Sequence, residues 1–95
     1  MKGYVIANID VRDAAGYEAY RSRTADVIAK YGGRFLVRGG KAEIREGDPG
    51  IARFVVIEFP DMAAARAFYD SPEYQAILPH RTANASGTLF LVEGA

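Results

Sequence analysis

With 95 residues, 49% of them hydrophobic, and Lys+Arg and Asp+Glu balanced at 12 each, the chain has the make-up of one globular domain over 1–95 rather than of a disordered segment. Zero net charge offers no positive bias for nucleic acid, and no apolar run is long enough to span a bilayer, so neither nucleic acid nor membrane is expected as a partner. Without cysteine, and with a single histidine, no metal or other cofactor is expected; the N-terminus enters a strand with no basic-then-apolar leader, which makes a soluble cytoplasmic protein the expectation.

Tyr4 to Val11 alternates, with Val5, Ala7, Ile9 and Val11 on one side and Tyr4, Ile6, Asn8 and Asp10 on the other, which predicts a strand. Asp13 is placed to cap a helix on which Tyr17, Tyr20, Thr24, Val27, Ile28 and Tyr31 form one apolar stripe, and Gly32-Gly33 stops it. A second strand begins near Arg34, with Phe35 and Val37 facing one way and Arg34, Leu36 and Arg38 the other. Gly39-Gly40 reads as a bulge, after which Lys41 to Glu46 alternates again around Ala42 and Ile44 until the turn at Gly47-Asp48-Pro49-Gly50. Arg53 to Pro60 is the organising strand. Val55, Ile57 and Phe59 point one way; Phe54 and Val56 point the other, with Glu58 the one charge beside them. Asp61 caps a second helix from Met62 to about Tyr69. Ser71-Pro72-Glu73 starts a short third helix limited by Pro79, and His80 to Gly87 is a polar connection. Thr88 to Glu93 is the last strand, with Leu89 and Leu91 on one face and Thr88, Phe90 and Val92 on the other.

The order β-α-β-β-α-β predicts an α+β, ferredoxin-like fold with an antiparallel sheet in the order 4-1-3-2 and its helices on one face. Those helices cover Val5, Ala7, Ile9, Val55, Ile57, Leu89 and Leu91. They leave Tyr4, Ile6, Leu36, Phe54, Val56, Phe90 and Val92 bare. Covering a large apolar side chain is worth about 1.5–3 kcal/mol, so a second copy of the chain, docked through Ile6, Phe54, Val56 and Phe90, is the economical cover. A homodimeric α/β barrel is the expected assembly.

The pieces Tyr17-x-x-Tyr20, Tyr31-Gly32-Gly33, Arg38-Gly39-Gly40, Glu46-Gly47, Arg53 to Pro60, Phe68-Tyr69-x-Ser71-x-x-Tyr74, Arg81 and Val92-Glu93-Gly94 together resemble the uncharacterised domain-of-unknown-function family 1330 over nearly the whole chain. The resemblance implies ferredoxin-like subunits paired sheet to sheet and brings no settled activity. The chain departs from the pattern in lacking tryptophan. Asp48-Pro49 and Phe68 stand where many members carry it, so a pocket shaped by tryptophan is not implied here.

The four tyrosines Tyr17, Tyr20, Tyr31 and Tyr74 read either as a ligand pocket or, as is usual at helical spacing, as core residues with hydroxyls near the surface. His80 is the residue type that most often serves as a general base, yet it lies in a polar connection with no nucleophile motif nearby. Neither glycine pair has phosphate-loop spacing. On the oily second face, Asn8, Arg38 and Glu58 are the polar groups, and counting back from the turn puts Arg38 almost opposite Glu58. They form either a structural ion pair or the polar end of a small cavity with Tyr4 nearby and Arg81 closing it. In that cavity Arg38 orients an anionic oxygen and Glu58 acts as base. Three function classes follow. The first is a dimer that binds a small organic molecule or is purely structural. The second is an enzyme like the cofactor-free monooxygenases or lactone isomerases, which use similar barrels. The third is an RNA-binding module, which ranks last because Ala52 and Val56 stand where that class needs aromatic neighbours.

Overall fold

The alternation along the first strand survives folding residue by residue. In the computed structural model, which describes residues 1–95, β1 (Gly3–Val11) buries Val5, Ala7 and Ile9 and turns Tyr4, Ile6 and Asn8 to the other side. It is followed by α1 (Ala14–Lys30), β2 (Arg34–Arg38), β3 (Arg53–Phe59), α2 (Met62–Asp70), α3 (Pro72–Thr82) and β4 (Ala85–Glu93). The strands form one antiparallel sheet in the order β2-β3-β1-β4, the ferredoxin-like arrangement. The molecule measures 34 × 32 × 16 Å, which is one sheet and one layer of helices thick. No helix is long and apolar enough to cross a membrane.

Each helix starts where a side chain can take up a free backbone N–H. Asp13 accepts from Gly16 N at 3.2 Å, Asp61 from Ala64 N at 2.8 Å and Ser71 from Tyr74 N at 3.0 Å, with Pro72 in the first position of α3. Beyond α1, Gly32 takes φ +81°, a left-handed turn that glycine adopts without strain. Val5, Phe59, Phe68, Tyr74 and Ile28 are the largest fully buried side chains. Phe68 joins Phe59 and Tyr74 in one aromatic stack, at 5.1 and 4.6 Å between ring centres.

Three local expectations are corrected. Lys41 to Glu46 is not a strand: residues 39–52 are exposed and irregular, and Gly39 N to Phe54 O (2.8 Å) is the last ladder bond after β2. The alternation there has no neighbouring strand to pair with, and Gly39 turns the chain away at φ +70°. Second, Pro79 does not end α3. It has no N–H for the carbonyl one turn back, but the helix continues to Thr82, anchored by buried Ile77, and the Asn84 side chain takes up the His80 carbonyl at 2.8 Å. His80 is therefore helical and exposed. Third, β4 begins three residues earlier than expected, because Ala85, Ser86 and Gly87 pair with Val11, Asp10 and Ile9.

The bulge also lies elsewhere than expected. It falls at Leu36, between the pairs Phe35↔Ile57 and Val37↔Val56, and not at Gly39-Gly40. One inserted residue exchanges the faces of all that follows. Val37 therefore joins the outer face, 37% exposed, and Arg38, paired with Val55, joins the helix face.

Candidate functional site

Polar side chains gather on both faces of the sheet, in two unlike ways. On the outer face, β1 and β3 set Tyr4 opposite Glu58, and β2 sets Arg34 on the other side of Glu58. The Tyr4 hydroxyl donates to Glu58 Oε2 at 3.1 Å, and Arg34 Nε and Nη2 reach Glu58 Oε1 at 3.1 and 3.0 Å. The Glu58 side chain is 13% exposed. Burial alone raises its pKa, but the hydrogen bonds from Arg34 and Tyr4, with the Arg34 charge, outweigh that and hold the carboxyl below the ordinary value of 4.5. Arg34 therefore takes the place expected of Arg38. Asn8 is not part of this group: it donates to Gly50 O (3.0 Å) and accepts from Ala52 N (2.8 Å), pinning the end of the 39–52 loop.

On the helix face, a cavity of about 40 Å³ lies between the sheet and the helices. Its floor is Val5, Ala7, Ile9, Val55, Ile57 and Leu89; Tyr17, Tyr20 and Thr24 of α1, Phe68 of α2, and Tyr74 and Arg81 of α3 enclose it, with Arg21, Phe35, Arg38 and Arg53 also lining it. The helical spacing that put the tyrosines on one stripe also turns them into this space. Tyr17 and Tyr20 ring centres are 5.4 Å apart, and the buried Tyr20 and Tyr74 hydroxyls hydrogen-bond at 2.8 Å. Thr24 donates to Tyr20 O at 2.5 Å, satisfying its own hydroxyl within the helix. Tyr31 is not part of the cavity; its hydroxyl donates to Glu73, which also pairs with Lys30 and so ties α1 to α3.

The electrostatics of the cavity are one-sided. Its lining holds four arginines and no carboxylate or imidazole. Arg21 is answered by Glu18 at 2.8 Å; Arg38, Arg53 and Arg81 belong to no ion pair. Arg38 lies over the Phe35 ring at 4.2 Å. Arg53 lies against Gly39, where an added Cβ would come within 2.6 Å of its guanidinium, so the glycine leaves room for the arginine. Arg81 is set 5.8 Å from the centre of the Tyr20 ring, and its buried Nε has no hydrogen-bond partner. Burial pushes Tyr17, Tyr20 and Tyr74 above the ordinary phenol value of 10.0, and the Arg81 charge opposes the rise at all three. The phenols are therefore protonated at neutral pH and act as hydrogen-bond donors and acceptors.

Of the residues singled out in the sequence, the structure brings Tyr4 to Glu58 on the outer face and Arg38 to Arg81 around the cavity. Arg81 does not close over Glu58, since α3 lies on the other side of the sheet, and exposed His80 lines neither place. No group of three or more His, Cys, Asp or Glu could hold a metal ion. Arg34 and Arg53 are the residues that sequence reasoning missed. Arg53 shares the parity of Val55 and Ile57, a signal in the sequence that places it on the helix face and that the reading of the strand left unused.

No curated protein matches the sequence. Among solved structures, a Rhodopseudomonas palustris protein of unknown function superposes with TM-score 0.77 at 19% identity, over 99% of this chain and 82% of its own. SnoaB, a cofactor-independent oxygenase from Streptomyces nogalater, gives 0.66 at 22% identity, over 99% and 93%. A dimeric ferredoxin-like protein of unknown function from Jannaschia sp. CCS1 gives 0.67 at 13% identity, over 100% and 99%. At such identities the likeness is one of fold. The sequence model of a domain of unknown function, DUF1330, matches residues 2–95, and the chain belongs to that family.

Proposed function

We propose that this protein is a homodimer that binds a small organic molecule in the tyrosine-lined cavity of each subunit. The observation that carries the reading is the cavity itself: an apolar floor with a few convergent polar groups, the pattern of a ligand site. At about 40 Å³ it has room for about three waters, so it takes the head of a ligand whose remainder leaves toward solvent. The dimer is supported by the outer face. Phe90 and Val92 are 53% and 43% exposed there, and register places Ile6 and Phe90, and Ile6 and Val56, side by side, with Phe54 one pair further on. The dimeric Jannaschia protein of the same fold supports a pairing of this kind. Zero net charge speaks against a nucleic-acid partner, and the lack of cysteine suits a reducing cytoplasm.

The test is mass spectrometry of protein purified undenatured from cells, beside the variant Ala7→Leu, which fills the cavity floor. A co-purifying small molecule lost in the variant is the expected result; identical ligand content in both refutes the site. The fold shared with SnoaB supports a second reading, a cofactor-independent oxygenase. On that reading the cavity supplies protonated phenols and guanidinium charge, and Glu58 and His80 lie away from the chemistry. Oxygen uptake with a quinol separates the two.

A further inference from the structure

Resting on the binding reading above, we infer that the cavity selects an anion: a small organic carboxylate, or the carboxylate head of a larger molecule, held by Arg81 with Arg38 and Arg53. In a chain of zero net charge, every side chain lining this space that carries a charge at neutral pH is an arginine. One of the four, Arg21, is neutralised by Glu18, and the other three have no acidic partner. Arg81 also keeps a buried Nε–H with nothing to donate to. A buried donor without an acceptor is costly, and a guanidinium fork is matched best by the two oxygens of a carboxylate. A partner subunit docked on the outer face lies across the sheet from Arg81, so the acceptor is not supplied by that pairing. The phenols cannot supply the charge either, because burial keeps them protonated. Volume sets the class: about 40 Å³ holds a carboxylate with a carbon or two.

The probe is acetate against acetamide, planar isosteres that differ in charge, titrated at constant ionic strength while the arginine Nε–H resonances are followed by NMR. The Arg81 signal is identified by its loss in Arg81→Lys. Acetate is expected to shift the Arg81 signal saturably, with exposed Arg66 unmoved, and acetamide to leave it in place. Arg81→Lys should weaken acetate about tenfold, since a point charge replaces the fork. If Arg81→Lys melts early, Arg38→Gln and Arg53→Gln carry the same test, each weakening acetate severalfold. Equal response to both probes overturns the choice of an anion and leaves the binding reading standing. Equal shifts at Arg66 and Arg81 mark surface association and overturn it too. If neither probe moves Arg81 while a neutral molecule co-purifies in the cavity, the anion inference alone fails; if nothing occupies the cavity in either experiment, both fail.

Discussion

The two faces of one sheet treat charge oppositely. On the outer face, Glu58 is enclosed by partners: Tyr4 at 3.1 Å and Arg34 at 3.0 Å use its lone pairs, and the carboxyl stays ionised although only 13% exposed. On the inner face, four arginines line a cavity, three of them outside any ion pair, and one of those three has a buried N–H with no acceptor. A satisfied buried polar group holds structure together; an unsatisfied one costs stability and calls for an explanation. The same contrast runs reversed in the apolar groups. The inner face is covered by helices and the outer one is bare, with Val37, Phe90 and Val92 each more than a third exposed. The inner face thus leaves polar groups unpaired and the outer face leaves apolar groups uncovered.

The largest effect should come from breaking the outer face. Phe54→Asp puts a charge at its centre without touching the buried core, because Phe54 points away from Val55 and Ile57. Wild type should sediment as a dimer at micromolar concentration, and the variant as a folded monomer, with about 3 kcal/mol or more of association lost. A monomeric wild type would show that the outer face needs no cover. The inner face gives a smaller effect. Tyr20→Phe removes the 2.8 Å hydroxyl contact and leaves Tyr74 without it. About 1–2 kcal/mol of stability should go, roughly 4–16 °C in Tm for a domain of this size, with the dimer intact. An unchanged Tm would show that water or ligand already satisfies Tyr74.

How much of this was legible in the sequence depends on the pleat. Along β1 and β3 the period of two is unbroken, so Val5, Ala7, Ile9, Val55 and Ile57 could be assigned to the helices and Phe54 and Val56 to the open face. Along β2 the residue pattern is just as regular, and misleading. Nothing in Arg-Phe-Leu-Val-Arg shows that Leu36 is extra, yet the bulge carries Arg38 to the opposite face and leaves Arg34 to meet Glu58. Counting back from Gly47-Gly50 failed for a related reason: residues 39–52 are a loop and not a hairpin arm, so the turn did not set the register. The tyrosine stripe on α1 was readable as one face. That it encloses a cavity rather than filling it depends on Tyr74 and Arg81 of α3, and no local pattern reports a distance between helices. Pro79 illustrates a local rule outweighed by tertiary packing.

The smallest expected effect tests whether the Glu58 group is structural. In a single chain Arg34 is 72% exposed, so solvent screens the pair and weakens it; in a dimer covering the outer face the screening falls and the pair matters more. The folded pKa of Glu58 lies below its ordinary value of 4.5, so its contribution is complete above that value and is lost as pH falls through the lowered folded pKa. Glu73 is lowered as well, chiefly by its hydrogen bond from Lys30, and adds its own acid sensitivity to every variant. The useful quantity is therefore a difference: Tm of wild type minus Tm of Glu58→Gln, followed from neutral to acid pH. It should be positive at neutral pH and shrink toward zero in acid, and it should be larger in the dimer than in the Phe54→Asp background. Adding Arg34→Met to Glu58→Gln should recover part of the loss, because each single change strands the other partner. A difference that does not change with pH would mean that Glu58 contributes shape and not charge, and strict additivity of the two changes would mean that Arg34 is not its partner in solution.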